Sequence, residues 1–589
     1  MKRHLYFLTL LILFTFAAGS RAQDAAPVPT PPSAVVDDIQ EVAPEKLEGV
    51  PVIAPNYSSD DRVLPDLGRV GVDMTDHRSL TLREAMTMAL ENNKDIEVTR
   101  KNVRIAEFDL EAARGVYEPR FNGQTFYERS STPNISFFNP TVSKVSGDSI
   151  VGNVGFRTFV PKFGTVLDVT ANNQRLGTDN PVSIISPQYN SSVGVTLTQP
   201  LFKGRGFDQQ RRTIEIAKRN LSLTDSQFRQ RSIEIIANVQ RSYWDLTFAL
   251  RNLQVQRDGV RDAKDQLEHN KRLVEEGQLA PIDIVAADTQ VANFEQAVYE
   301  ALNTVTAAEN ALKNLIASNR NDGLWSESLT PVDPVDLDAP KTTLTDALTA
   351  ALENRPELEV NQVQKDINSI DQKFYKEQDK PQIDLVASYS SAGVGGSLNQ
   401  NFTNPLLRGC TENPTLPECV AAAQAQQMLL RSVGGGGTAF SDIFANKYPT
   451  FRVGVQFNLP LFGDKTAKAQ FGRSLVEGER LQTQREQLEQ NIQVEVRNAL
   501  QAVHTAEARL RAAAISRGNS VKQYDSERRK LDAGQSDIYK VLERQTALIA
   551  ARSAELRSQT ELNKAVADLH RTTGNSLKAN NVETRLRKK

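Results

Sequence analysis

From Asp208 to Glu276, and again from Lys465 to Ala533, the chain runs 69 residues without a proline and with hardly any glycine. An uninterrupted helix of that length is about 100 Å long at 1.5 Å per residue. Such a rod cannot fold back into a globule, so it needs neighbours along its whole length. The chain supplies candidates. A helix precedes each β region, at about Leu82–Val116 and Leu344–Lys376, and each reads as one continuous helix rich in Ala, Glu and Leu. Another follows each long run, at about Pro281–Ala317 and Asp537–Thr573. The two shorter helices, stacked end to end, match one long one, so each half offers two columns of equal height. In the first post-turn helix Val298, Leu302, Val305, Leu312 and Ile316 form a coiled-coil stripe on an otherwise polar surface.

The halves also resemble each other in wording. "LTLREAMTMALENNKDIEV" (80–98) answers "TLTDALTAALENRPELEV" (343–360), and "RLVEEGQLAPIDIVAADTQV" (272–291) answers "RKLDAGQSDIYKVLERQTAL" (529–548). "VGVTLTQPLFKG" (193–204) likewise answers "VGVQFNLPLFGD" (453–464). Three landmarks in the same order indicate internal duplication. The expected division is a signal peptide (1–22), a Pro-rich leader (23–79), a first repeat (80–318), a linker (319–342), a second repeat (343–574) and a basic tail (575–589). The β regions within the repeats are 119–200 and 381–460.

The signal peptide rests on Lys2 and Arg3, an apolar run from about Leu5 to Ala18, and small residues at Ser20 and Ala22. No cysteine lies near that cleavage site, so a lipid anchor is not expected. In an exported chain Cys410 and Cys419, the only cysteines, are expected to form a disulfide. After the signal no stretch of about 18 apolar residues occurs, so a membrane span would have to be made of strands closed into a barrel.

The strands alternate with period two. Phe451, Val453, Val455, Phe457 and Leu459 share one face, opposite Arg452, Gly454, Gln456 and Asn458. Ile383, Leu385, Ala387 and Tyr389 oppose Gln382, Asp384 and Ser388, while Val193, Val195 and Leu197 oppose Thr196 and Thr198. Alternation of this kind fits a half-buried soluble sheet as well as a barrel with lipid outside and water inside. Export, the want of an apolar helix, and Phe and Tyr near the strand ends favour the barrel. Further strands are expected near Pro119–Arg129 and Asn190–Gln199. Residues 149–173 read as an extra hairpin turning at Lys162-Phe163-Gly164, and the sequence leaves open whether it joins the barrel or forms an external loop.

A formal net charge of −2 gives no sign of a nucleic-acid partner. The five histidines are isolated, and no nucleophile elbow, phosphate-binding loop or Cys/His cluster occurs. An enzyme is not expected, nor a metal or cofactor.

Two tandem halves, each with a "QPLF" or "LPLF" junction, a very long helix and a turn of the form "EEGQLAPIDIV" or "DAGQSDIYKVL", resemble the TolC family of outer-membrane efflux proteins. The resemblance covers about Leu80 to Gly574. It implies a mostly α fold with a membrane β-barrel portion, assembled as a homotrimer. Each protomer would give four strands, the extra hairpin aside, and four helical columns to one duct. The duct would run from the outer membrane far into the periplasm and would serve an inner-membrane transporter and a periplasmic adaptor. A soluble periplasmic coiled-coil adaptor is the alternative, but it would lack lipid-facing strands.

The resemblance also places roles on residues. The turns at Gly277, Gln278, Leu279 and Ala280 and at Gly534, Gln535 and Ser536 would form the periplasmic tip and meet the adaptor. The family's constricting carboxylates stand six and nine positions after the second-turn glycine, which here are Lys540 and Glu543. Asp283 takes the corresponding acidic position of the first turn. A ring of mixed sign is therefore expected, unless capping alone explains the acids beside the turns. Pro200 and Pro460 would end the strand ladder at the joint between barrel and tunnel, with Leu201-Phe202 and Leu461-Phe462 packed under the rim.

Overall fold

The computed structural model describes residues 68–133, 143–402, 410, 414–459, 464–580 and 582. The expected signal peptide, most of the leader, Pro460 and most of the basic tail lie outside the described residues. In chain order the first half contains β1 (His77–Leu80), α1 (Leu82–Asn92), α2 (Lys94–Arg114), β2 (Arg120–Pro133), β3 (Lys144–Val160), β4 (Thr165–Thr178), β5 (Ile185–Pro200), α3 (Gln209–Glu275) and α4 (Pro281–Ile316). After β6 (Ser328–Pro331) the second half contains α5 (Leu344–Asn354), α6 (Pro356–Gln378), β7 (Gln382–Leu398), α7 (Pro417–Val433), α8 (Gly436–Phe444), β8 (Tyr448–Asn458), α9 (Lys465–Asp532), α10 (Ile538–Thr572) and α11 (Ser576–Ala579).

The long helices are continuous, at 67 residues for α3 and 68 for α9. The helices expected at 82–116 and 344–376 are each two helices instead. Asn93 leaves helical geometry between α1 and α2, and its side chain accepts the Asp95 N–H at 2.9 Å, starting a new helix. In the second half Arg355 is extended and Pro356 takes the first position of α6, where its missing N–H costs nothing but prevents α5 from continuing.

These breaks sit where the columns stack. Asn92 and Asn93 donate side-chain amides to the carbonyls of Ile316 (3.1 Å) and Leu315 (3.0 Å), satisfying the last acceptors of α4. At the equivalent point of the second half Lys578, beyond the end of α10, donates to Asn354 at 2.8 Å. Together α1 (11 residues), α2 (21) and α4 (36) match the 67 residues of α3 to within one. Near the strands the columns stand in the order α2, α3, α6, α9; beyond the breaks they stand in the order α4, α3, α10, α9.

At mid-height the leader and linker lock onto this array. Strand β1 pairs in parallel with β6, so residues expected to be linker contain the second strand of a small sheet. The hydroxyl of fully buried Tyr243, at the middle of α3, lies 2.6 Å from the Asp333 carboxylate and 3.0 Å from the Leu80 carbonyl. Burial pushes its pKa up, so it stays a neutral bridge. Beside it Glu309 and Lys313, both with no exposed side-chain surface, form an ion cluster with Arg69. Glu309 receives the Arg69 guanidinium at 2.7 Å and the Leu329 N–H at 2.8 Å, while Lys313 donates to the carbonyls of Trp325 and Glu327.

The remaining strands form one sheet in the order β2-β3-β4-β5-β7-β8, antiparallel throughout. The hairpin that the sequence leaves unassigned is β3–β4, and it lies inside this sheet, bonded to β2 on one side and β5 on the other. The sheet order thus follows the column order, with the hairpin inserted between the strands belonging to α2 and α3.

Candidate functional site

The registers align residues of like character across all six strands. One row reads Phe121, Phe156, Val169, Val195, Tyr389 and Phe451, all on one face. The adjacent row on the opposite face reads Asn122, Gly155, Thr170, Gly194, Ser390 and Thr450. Large apolar side chains of the first face stand in the open, with Phe121 73% and Phe451 74% exposed. A soluble sheet would bury that face against a second layer. Here α8 covers only one patch, close to β5 and β7, where Tyr389 reaches Asn446 and the Ser391 hydroxyl donates to the Ile443 carbonyl at 3.1 Å. The polar face carries a bidentate pair in which Arg157 donates to Asp168 at 2.8 and 3.1 Å. An apolar outside and a polar inside are what a barrel in lipid requires.

The joint differs from expectation. Pro200 is the last residue of β5, yet the ladder continues past it, because the Leu201 N–H donates to the Ile383 carbonyl at 2.9 Å. The proline removes a donor only at its own position. Gly204 then makes the turn with φ +83°, a conformation that a side chain would strain. Phe202 is half exposed; the aromatic buried at the joint is Phe207, with the Lys373 ammonium 4.8 Å from its ring centre. The turn of β3–β4 docks here too, since Gln199 donates to the Phe163 carbonyl at 3.2 Å. Pro460 and its neighbours Leu461 and Phe462 are outside the described residues.

At the far end the two turns close α3 onto α4 and α9 onto α10. Gly277 (φ +72°) and Gly534 (φ +69°) stand just past the helix ends. The next N–H in each turn, from Gln278 and Gln535, returns to Leu273 at 2.7 Å and Lys530 at 2.8 Å, closing a C-terminal cap. Gly534→Val forces a β-branched residue into positive φ and is expected to cost about 1–2 kcal/mol, read as a lower urea midpoint at unchanged slope.

Asp283 and Asp537 both cap their helices: Asp283 accepts the Ala280 N–H at 3.1 Å, and Asp537 accepts the Lys540 N–H at 3.0 Å. The Lys540 ammonium also sits 3.0 Å from Asp537 and holds that carboxyl below its usual range. Lys540 therefore faces its own capping residue. Glu543, one turn further on, is exposed. The Ser536 hydroxyl donates to Glu527, and Leu279 is half-buried. His269 of α3 lies 3.1 Å from Asp532 of α9, so the two turns stand side by side. Between tip and mid-height a cleft of about 1200 Å³ is lined by all four columns, mainly with amide, hydroxyl and alanine side chains such as Asn252, Gln290, Thr505 and Ser553.

Near the end of the sheet away from the helices Cys410 and Cys419 are joined in a disulfide, with a Cα–Cα distance of 5.7 Å. Among the described residues no group of acidic, His or Cys side chains could hold a metal, and no helix is long and apolar enough to cross a membrane.

A membrane-type sheet continued by four columns about 100 Å long defines an outer-membrane channel with a helical tunnel. The family model described as "Outer membrane efflux protein" matches residues 155–318 and 347–575, and the chain belongs to that family. One matched segment lies in each half of the chain. The crystal structure of CusC matches with a TM-score of 0.58 at 15% identity, covering 89% of this chain and 99% of that one. The Campylobacter jejuni outer membrane channel CmeC matches with a TM-score of 0.58 at 16% identity, covering 85% and 90%. VceC of Vibrio cholerae matches with a TM-score of 0.56 at 10% identity, covering 84% and 96%. No curated protein matches the sequence. The protein is an outer-membrane exit duct for efflux, with a long periplasmic helical portion.

Sequence reasoning missed Arg69, Tyr243, Glu309 and Asp333. Each is ordinary in its local context, and the contacts that unite them span up to 240 residues of chain.

Proposed function

We propose that three copies form one passive conduit, with no catalytic step of its own, whose tip turns receive a periplasmic adaptor coupled to an inner-membrane transporter. The observation that carries this reading is the open arc. Strand β2 and column α2 stand at one edge, β8 and α9 at the other, and both edges present unpaired or apolar surface. Val98, Ile105 and Phe108 of α2 are exposed at helical spacing, and Leu475, Val476 and Val494 of α9 are exposed as well. Different surfaces on the two edges make a head-to-tail contact, which closes into a ring when the rotation allows. The polar cleft between the columns becomes part of the aqueous path.

The exposed turns Gly277–Ala280 and Gly534–Ser536 are the adaptor contact. Glu543 is the constriction carboxylate, repeated three times about the axis, where like charges repel and cations are attracted. Because Lys540 is held by Asp537, it leaves Glu543 less compensated than a ring of mixed sign would require. Asp283 contributes mainly as a cap. In planar lipid bilayers the purified chain is expected to conduct, and divalent cations added on the tip side are expected to block it. Glu543→Ala reduces that blockade several-fold; unchanged conductance and blockade would show that the gate lies elsewhere. A chain that never conducts contradicts the conduit itself.

A further inference from the structure

The sheet contains six strands per protomer, two of them in the β3–β4 hairpin. We propose that this hairpin spans the membrane as part of the barrel wall, and that β8 of each protomer pairs with β2 of the next, so three copies close a barrel of eighteen strands. The proposal rests on the three-copy reading and adds to it the composition and width of the wall.

Hydrogen bonding is the first support. Strand β3 pairs with β2 over all fourteen residues of β2, and β4 pairs with β5 from Val166↔Thr198 to Leu176↔Gln188. If the hairpin left the sheet, those backbone groups would lose their partners in a medium without water. The second support is side-chain facing. Ile150, Val154 and Phe156 of β3, and Leu167 and Val169 of β4, lie on the same face as the apolar residues of β5, β7 and β8. The hairpin therefore presents lipid-compatible surface where its neighbours do.

The third support is the pair of edges. Strands β2 and β8 stand at the two ends of the sheet order, so each has one side of its backbone N–H and C=O row without a strand partner in the protomer. With an even number of antiparallel strands, β2 and β8 run in opposite directions. Copies placed side by side thus continue the up-and-down alternation.

Width is the fourth. Strands about 4.8 Å apart and tilted about 40° each take up roughly 6.3 Å of circumference, so six span about 38 Å. Four helical columns at roughly 9–10 Å span about 36–40 Å. Four strands at the same spacing and tilt would cover only about 25 Å. The hairpin makes up that difference, at the point between the first and second columns. The rows facing the interior are polar, both the row from Asn122 to Thr450 and the row of Arg120, Arg157, Asp168, Thr196, Ser388 and Arg452, so the wall presents hydrated groups to the lumen.

Cryo-electron microscopy of the full chain in lipid nanodiscs counts the strands directly. Eighteen strands from three chains is the expected result. Twelve strands from three chains, with the hairpin outside the wall, overturns the proposal and leaves the conduit reading standing; a different number of chains, or no barrel, overturns both. Cross-linking supplies a second readout. Gly123→Cys combined in turn with Phe451→Cys, Val453→Cys and Val455→Cys is expected to give, for the matching register, an oxidant-dependent ladder up to trimer on non-reducing gels. An intrachain bond between Gly123→Cys and Val195→Cys contradicts the proposal whether or not the ladder forms, because it puts β2 directly beside β5, where the sheet has β3 and β4 between them.

Discussion

Val195→Arg is expected to abolish stable insertion, whereas Thr196→Arg, one residue along, is expected to be tolerated. The two side chains leave β5 on opposite faces. Val195 stands in the apolar row between Val169 and Tyr389, and Thr196 stands opposite, between Asp168 and Ser388. Val195 lies beside Phe440, Ile443 and Phe444 at the α8 patch, so an arginine there meets apolar side chains and lipid instead of water; a lipid-facing arginine costs about 2–4 kcal/mol, and the cost recurs in every copy of the ring. On the inner face the same guanidinium meets water, and Asp168 lies beside it. The readout is the fraction of chain retained in the outer membrane after carbonate extraction. Loss for Val195→Arg with retention for Thr196→Arg is expected; equal behaviour of the two would contradict the assignment of faces.

Glu309→Leu is expected to destabilise the helical portion more than any single substitution at its surface. The change leaves Arg69 and Lys313 buried at mid-height without their carboxylate. Breaking a buried pair from one side typically costs about 3–5 kcal/mol, because the remaining charge has no compensation. Burial already lowers the pKa of Lys313, against the opposing attraction of Glu309. Without Glu309 that depression deepens. The unfolded chain then holds a proton that the folded chain releases, so the variant's stability rises with pH toward the ordinary lysine range. Urea unfolding followed by helical ellipticity at neutral and alkaline pH measures this. A deficit that does not shrink as pH rises would mean that lost packing, and not the stranded cations, causes it.

Much of the architecture is legible in the sequence because it depends on local signals. Absence of proline sets the length of α3 and α9, and their C-terminal glycines mark the turns. Period-two alternation assigns the faces of β5, β7 and β8. The breaks at Asn93 and Arg355 were partly legible too: Pro356 is an explicit stop, whereas Asn93 works through a side-chain cap that resembles many uncapped asparagines. Membership of β3–β4 in the sheet was not legible, because the hairpin satisfies half its hydrogen bonds internally and alternation alone does not name its outer neighbours. The buried cluster of Arg69, Glu309 and Lys313 was hidden for the same reason, its members being brought together only by tertiary folding. At the tip, sequence spacing located Lys540 and Glu543, but pairing of Lys540 with Asp537 is a matter of rotamer and distance.

Spin labels placed singly at each position from Val193 to Thr198, and again from Gly152 to Arg157, read the environment of each face in native-like bilayers. In a barrel wall with lipid outside and water inside, accessibility to oxygen peaks at 193, 195 and 197 in β5 and at 154 and 156 in the hairpin. Accessibility to a water-soluble nickel chelate peaks at the positions between them. Period-two alternation of opposite phase for the two reagents in both segments is the predicted result, and water accessibility at every position would contradict a membrane barrel.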